Sequence, residues 1–374
     1  MNILIVFTFG YSLKIWKNSN ILERELSIYK DINEKFGTKF TFLTFGDSSD
    51  VELITEKENF SVIPIYDYLK KPKTKLLSFL QSFIVPFKLK NQFKDVSLIK
   101  QHQILGVWIS IILKILLKKP LIVRTGYDMH AFAKQENKKK HIQLLYFLLN
   151  QIGLFFAEIF TVSNTNDLQN KKEKYLANSN IELRTNWIFK SRYNDFEERH
   201  ENAVVCVGRL EYQKNYFELF ENFKDLDIEI HIYGVGSLEH EINEYIKKNN
   251  KNIKLMGTIN NKNLNNELRK YRFFVTSSLF EGNPKSVMEA MAAGCVIFAS
   301  NISNHQDLIT HNKNGFLFEL GSDNLNQLFK KHFRSPDYLS EISRNAYEIA
   351  NEKFELNILS QIEYEDYLSV IKPA

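Results

Sequence analysis

Phe280-Glu281-Gly282-Asn283-Pro284-Lys285-Ser286-Val287-Met288-Glu289-Ala290-Met291-Ala292-Ala293-Gly294 decides how this 374-residue chain folds. Pro284 suits a helix start, where its missing N–H would find no partner anyway. The spacing predicts a helix over Lys285–Ala293. Phe273–Thr276 before it and Val296–Ala299 after it are short runs of β-branched and aromatic residues, and read as strands. Strand, helix and strand in that order form a βαβ unit, the building block of a parallel sheet buried on both faces.

The same alternation runs outward in both directions. Upstream, Ala203–Val207, Ile228–Tyr233 and Ile253–Met256 read as strands, with helices over Tyr216–Phe223, Leu238–Lys248 and Asn263–Lys270. Asn186–Asn202 breaks the rhythm: it is polar and irregular, and reads as an interdomain linker. Before it, strands Asn2–Phe7, Lys39–Phe45, Val96–Lys100, Leu121–Arg124 and Ile159–Val162 alternate with helices Ile21–Phe36, Ile104–Leu117 and Ile142–Phe156. From Ser335 onward the pattern is helical. The expected fold class is α/β, with two Rossmann-like halves and a C-terminal helical tail. The domains are expected at residues 1–187 and 188–355, with the tail 356–374 packing back on the first.

Composition narrows the class. Hydrophobic residues make up 44% and charged residues 25%, ordinary values that exclude a disordered, collagen-like or disulfide-scaffold chain. The two cysteines, Cys206 and Cys295, sit in apolar runs and suit reduced, buried thiols of the cytosol. The net charge of +5 is unevenly spread. Residues 1–200 carry 30 Lys+Arg against 20 Asp+Glu, while residues 201–374 carry 19 against 24. A basic half beside an acidic half points to an acidic partner for the first. The opening Met1–Phe7 is apolar without a basic flank or a cleavage site, so it reads as a strand rather than a leader. Ile104–Leu117 and Leu144–Val162 are interrupted by charged or amide residues and make poor membrane spans.

Only 14 glycines occur, and in the second half they follow strands: Gly208, Gly234, Gly236, Gly257 and Gly282. Ligands of open α/β sheets bind beyond the carboxyl ends of the strands, where glycine lets backbone approach closely. Tight turns alone would also account for any one of them. Gly234-Val235-Gly236 lacks the third glycine of a dinucleotide fingerprint, position 239 being Glu, and no Walker loop occurs. Asp225-Leu226-Asp227 precedes its strand, so a metal-binding Asp-x-Asp is not expected, and no His/Cys cluster suggests zinc.

Glu281 in a loop, a helix N-terminus near Lys285–Val287 and Glu289 one turn into the helix place a carboxylate, an anion site and a second carboxylate in sequence. Carboxylates for hydroxyls and amides for phosphate would suit a sugar nucleotide. By spacing alone, a capped helix with both carboxylates in water is the simpler reading. The surrounding residues add more. Ser277-Ser278-Leu279-Phe280 leading into the quoted stretch resembles the signature of family 4 glycosyltransferases, retaining enzymes of GT-B fold. The resemblance extends to Gly208-Arg209-Leu210 with Lys214, to Ile232-Tyr233-Gly234-Val235-Gly236, to Met256-Gly257 and to Asn314-Gly315-Phe316. It is weaker in the first half.

That resemblance implies two Rossmann-like domains facing a cleft. It implies that Arg209 and Lys214 clamp the donor diphosphate, that Glu289 holds ribose hydroxyls, and that Glu281 acts as the catalytic carboxylate near the reacting carbon. Asn283, Lys285, Ser286 and Val287 would bind sugar hydroxyls and phosphate; Gly234, Gly257 and Thr258 would lie by the nucleotide, and Gly10 would approach the donor phosphates. The loop Arg124-Thr125-Gly126-Tyr127-Asp128-Met129-His130 departs from the family pattern, in which a His follows the fourth strand; Asp128 and His130 are the candidates there. No cofactor or metal is implied, the UDP- or GDP-sugar being a substrate. A front-face route would let the leaving phosphate take the acceptor proton.

Lys70–Lys94 holds seven lysines, no acid, and Leu76, Leu77, Phe79, Leu80, Phe83, Ile84 and Phe87. It suits either docking on an anionic leaflet or a helix packed on the sheet with its lysines in water. Nucleic acid is not expected as a partner, since no known module is visible. The expected function is transfer of a sugar from a nucleotide donor to a glycan or lipid-linked acceptor for a surface polysaccharide or glycolipid, in the cytoplasm on the inner face of the membrane. The alternatives are another GT-B sugar-nucleotide enzyme (an epimerase or a soluble-disaccharide synthase) and a non-catalytic scaffold that binds a sugar nucleotide or membrane.

Overall fold

The apolar runs become strands of two wholly parallel sheets in the computed structural model, which describes residues 1–56, 58–249 and 252–371. One unit comprises Met1–Thr185 and the chain from Asn357; the other is Asn186–Leu356. The last three residues of the expected tail lie outside the described residues. The first sheet contains β1 (Asn2–Val6), β2 (Lys39–Thr44), β3 (Phe60–Pro64), β4 (Leu98–Gln101), β5 (Leu121–Arg124), β6 (Ile159–Val162) and β7 (Asn180–Leu183), in the order β3-β2-β1-β4-β5-β6-β7. The second contains β8 (His200–Val207), β9 (Glu229–Tyr233), β10 (Ile253–Gly257), β11 (Tyr271–Thr276), β12 (Val296–Ser300) and β13 (Phe316–Phe318), in the order β10-β9-β8-β11-β12-β13. Each sheet reverses its winding once, between β1 and β4 and between β8 and β11. Such a reversal opens a crevice at the strand ends.

Central strands are buried on both faces, which is why they read as unbroken apolar runs: Ile3, Leu4, Ile5 and Val6 are all fully buried. The three strands absent from the sequence reading, β3, β7 and β13, are all edge strands. β3 and β7 mix polar residues among apolar ones, and β13, Phe316–Phe318, is only three residues long, so none of them carries a long apolar run.

The expected linker is not a free connector. Trp187, Ile188, Phe196 and Arg199 are all buried, and Ile188 pairs with Glu355 in an isolated bridge. Its polar letters conceal a few large side chains that anchor it to the second unit. The strand after it also starts earlier than expected, at His200.

The helical tail divides between the units. Pro336–Lys353 buries Leu339, Ile342, Ala346 and Ala350 in the second unit. Leu356–Ile371 sits on the first through polar pairs rather than a greasy stripe. Arg184 donates twice to Asp366, at 2.8 and 2.7 Å, Lys100 pairs with Glu363, and the Tyr364 ring stacks on Phe36 at 3.8 Å.

Lys70–Lys94 forms helices Lys75–Ser82 and Val85–Leu89 and a short 3-10 turn. Phe79 and Phe83 lean on Trp108, but Leu76, Leu77, Leu80, Ile84 and Phe87 are 50–68% exposed. The sheet-packing reading of this apolar face is therefore wrong for most of it. No helix among the described residues is long and apolar enough to cross a membrane.

Candidate active site

The loops that leave β8 and β11 meet at the reversal point of the second sheet. After β8 the chain runs through Gly208, Arg209 and a 3-10 turn, Tyr212–Lys214. After β11 it runs through Ser277–Pro284 into the helix Lys285–Ala292. The two loops are sewn together. The Leu279 amide donates to the Gln213 carbonyl at 2.9 Å, and the Ser277 hydroxyl lies within donating distance of the carbonyls of Lys214 and Asn215.

Glu281 is the hub. Its Oε1 accepts from Lys214 Nζ at 2.5 Å and from the Ser278 hydroxyl at 2.7 Å, and its Oε2 accepts from Gln213 Nε2 at 3.3 Å. Burial pushes this carboxyl up, but Lys214 and the Ser278 hydroxyl outweigh it and hold it below the usual range. Arg209 is exposed and has no ion-pair partner among the described residues. One cation is thus held against a carboxylate, while a second, five residues earlier, is open to solvent.

The glycines here serve partly another purpose than the expected approach to ligand. A Cβ on Gly234 would meet the Gly208 carbonyl oxygen at 1.9 Å, and one on Gly236 the Leu210 oxygen at 2.4 Å. Both are needed so that the loops after β8 and β9 can lie against each other. Gly257 differs: its φ is +70° and nothing lies within 4 Å of a built Cβ. It and exposed Thr258 end β10, one strand further out, and the Gly257 carbonyl accepts from the Gly234 amide at 2.8 Å.

At the helix start the expected set of amides is smaller than the sequence suggested. Pro284 has no side-chain cap, and its ψ of 77° tightens the first turn. The Lys285 amide turns to the Asn283 carbonyl at 2.8 Å and the Val287 amide to the Pro284 carbonyl at 3.0 Å, which leaves that of Ser286 without a partner among the described residues. The Val287 side chain is buried in the core. Lys285 Nζ lies 4.8 Å from the centre of the Trp187 ring, and Glu289 is half-buried in the helix's second turn.

Gly10, Asp128 and His130 belong to the first unit. Gly10 lies in the loop after β1 with φ +80° and open space around it. Asp128 is buried, caps the helix Met129–Gln135 through the His130 amide at 2.9 Å, accepts from Asn150 at 3.0 Å and pairs with buried Lys171 at 2.7 Å. Its carboxylate is occupied in holding three elements together. His130 Nδ1 lies 3.0 Å from the Tyr175 hydroxyl and its ring is half-exposed. Burial, reinforced by Lys134, keeps that imidazole below its ordinary range.

Gln213, Ser278, Ser300 and His305 also belong to the Glu281 neighbourhood, and the sequence reading gave them no role. They are common polar residues, and two of the contacts that bring them together, Gln213 with Glu281 and Ser300 with Ser278, join residues 68 and 22 apart in the chain. Among the described residues, no group of three or more His, Cys, Asp or Glu side chains is placed to hold a metal ion.

The two units and their sheet orders are those of the GT-B fold. Anabaena HepE, solved in complex with UDP and glucose, superposes with a TM-score of 0.73 at 15% identity, over 99% of this chain and all of that one. Residues 188–349 match the family model described as Glycosyl transferases group 1, so the second unit is a domain of that family. Over 228 residues the chain is 28% identical to the UDP-Gal:alpha-D-GlcNAc-diphosphoundecaprenol alpha-1,3-galactosyltransferase of Escherichia coli, covering 54% of this chain and 57% of the relative. Over 202 residues it is 27% identical to the capsular polysaccharide biosynthesis glycosyltransferase CapH of Staphylococcus aureus, covering 48% and 54%. The matches span just over half the length of each relative.

Proposed function

We propose that the protein is a retaining glycosyltransferase that moves a sugar from a UDP- or GDP-sugar to a glycan or lipid-linked acceptor in surface polysaccharide or glycolipid synthesis. The observation that carries this is the pairing of Lys214 with Glu281 at the sheet's reversal point, in the same loop as an exposed Arg209 that has no ion-pair partner among the described residues. A nucleoside diphosphate gains negative charge as it leaves, and two cations placed there stabilise that charge without a metal ion. Glu281 keeps an oxygen, Oε2, with a single long contact, and so can accept from a hydroxyl of the transferred sugar. Glu289 would take the ribose hydroxyls and the Ser286 amide an anionic oxygen. The relatives named above, one using UDP-Gal and a diphosphoundecaprenol-linked acceptor and one making capsule, support this choice of donor and acceptor.

The chemistry asks little more of the protein. The bond from the sugar's anomeric carbon to the phosphate oxygen breaks as the acceptor oxygen bonds to the same face of that carbon. The acceptor proton passes to the departing phosphate oxygen, so no enzymic base is needed.

The Lys70–Lys94 surface would seat the first unit on the anionic inner face of the cytoplasmic membrane, where a lipid-linked acceptor is found. Its exposed leucines, Ile84 and Phe87 would enter the headgroup region, with seven lysines around them attracted by about 1 kcal/mol each. The test is transfer of labelled sugar from a panel of UDP- and GDP-sugars to membrane lipid extracts containing polyprenyl-diphosphate glycans. Label should appear in the lipid fraction with the donor's anomeric configuration kept. Neither transfer nor donor hydrolysis with any donor would overturn the proposal.

A further inference from the structure

We infer that His305 is a positioning residue for Glu281, acting through Ser300 and Ser278. The inference rests on the transferase reading, which gives Glu281 its role. A continuous chain of hydrogen bonds joins the two residues. His305 Nδ1 faces the Ser300 carbonyl at 2.8 Å, so this nitrogen carries the hydrogen. The Ser300 hydroxyl donates to the Ser278 carbonyl at 2.6 Å, and the Ser278 hydroxyl donates to Glu281 Oε1 at 2.7 Å. The chain ties the loop after β12 to the loop after β11, at the oxygen that Lys214 also grips.

A plain packing role does not explain a histidine here. His305 is fully buried, and its Nε2 has no hydrogen-bond partner among the described residues. Leaving such an acceptor dry forfeits its hydration, a cost that an apolar side chain would avoid. Burial holds the imidazole down at about 4, so at neutral pH it is an uncharged donor of fixed tautomer rather than an acid or base. What it supplies is geometry. Its Nδ1–H fixes the Ser300 backbone, and with it the hydroxyl that holds the Ser278 carbonyl.

The test uses the full chain carrying His305→Leu, His305→Asn, Ser300→Ala, Ser278→Ala or the pair Ser300→Ala/Ser278→Ala. Asn can present an N–H where Nδ1 stood. Should His305→Leu fail to fold, the serine variants and His305→Asn carry the test. His305→Leu and Ser278→Ala should each lower kcat about tenfold to a hundredfold, since small misplacements near a reacting carbon are costly. Nucleoside-diphosphate affinity should hold, His305→Asn should restore most of the rate, and the serine pair should lose no more than its worse member. In ligand-free protein, the Glu281 carboxyl followed by 13C NMR should titrate at higher pH in His305→Leu and Ser278→Ala. Wild-type kcat in the folded variants, additive losses in the serine pair, or an unmoved Glu281 titration would overturn the inference. Absence of any transfer by the wild-type protein would instead strike the transferase reading, and the NMR titration would still decide this one.

Discussion

Lys214 Nζ lies 2.5 Å from Glu281 Oε1, joining the loop after β8 to the loop after β11. Arg209 shares the first loop but is exposed and unpaired among the described residues. The two cations should therefore fail differently. Arg209→Ala should cost donor turnover at least about tenfold, the loss of one charge-assisted contact, and leave the melting temperature unchanged. Lys214→Ala should cost as much turnover and also about 1–3 kcal/mol of stability, because it leaves a buried carboxylate without its partner. Turnover assays and thermal unfolding of the two variants decide this. Unchanged turnover in both would remove them from the site.

The carboxylates should also separate. Glu281→Gln should lower kcat more than it weakens donor binding, whereas Glu289→Gln should chiefly weaken nucleotide binding. Calorimetry with the nucleoside diphosphate, set beside steady-state kinetics, measures both. Equal effects from the two substitutions would contradict the division of roles.

The arrangement predicts a structural rather than a chemical failure at Asp128. Lys171→Met should destabilise the first unit by roughly 3–5 kcal/mol, the usual result of stranding one member of a buried pair. Activity per folded molecule should stay close to normal. A stable Asp128→Asn protein that has lost its activity would return Asp128 to the reaction.

Asp167, beside that pair, has a carboxyl pushed up to about 6 by burial and by Asp128. The folded chain therefore holds this proton more tightly than the unfolded chain. Its contribution to stability falls as pH rises from about 4 to about 6 and is level above. Asp167→Asn should be more stable than wild type above pH 6, by about 1–3 kcal/mol, and equal to it below about pH 4. Denaturant titrations across that range check the sign; an advantage for Asn at low pH alone would refute it.

The exposed face of Lys70–Lys94 should bind vesicles containing anionic lipid, more weakly as salt shortens the Debye length to about 8 Å at 0.15 M. Changing Lys70, Lys71, Lys73 and Lys75 to Glu should release the protein, and neutral vesicles should bind less. Cosedimentation measures this. Full solubility beside anionic vesicles at low salt would mean that another partner covers the face.

What could be read in advance follows from how each feature is encoded. The central strands were legible because burial on both faces demands a local apolar run, as in Ile3–Val6. β3 and β7 were not, because polar residues interrupt them, and β13 was not, because three residues make too short a run. Trp187, Ile188 and Phe196 were lost among polar neighbours, although they anchor the supposed linker. At the site, Arg209, Lys214, Glu281 and Glu289 stood out because they lie in a recognisable local pattern. The contacts of Glu281 with Gln213 and of Asp128 with Lys171 span 68 and 43 residues, and no local pattern encodes them. Gly234 and Gly236 were visible, but not that backbone, rather than ligand, presses against them.

The most direct measurement is thermal unfolding of the wild-type protein with UDP-, GDP-, ADP- and TDP-sugars, each repeated on Arg209→Ala. Ligand at a hundred times its Kd adds about 2.7 kcal/mol to the folded state. One donor class should raise the melting temperature of the wild type by several degrees, and that of Arg209→Ala by much less at the same concentration. No rise with any nucleotide sugar, or an equal rise in both proteins, would contradict a donor diphosphate held at this site.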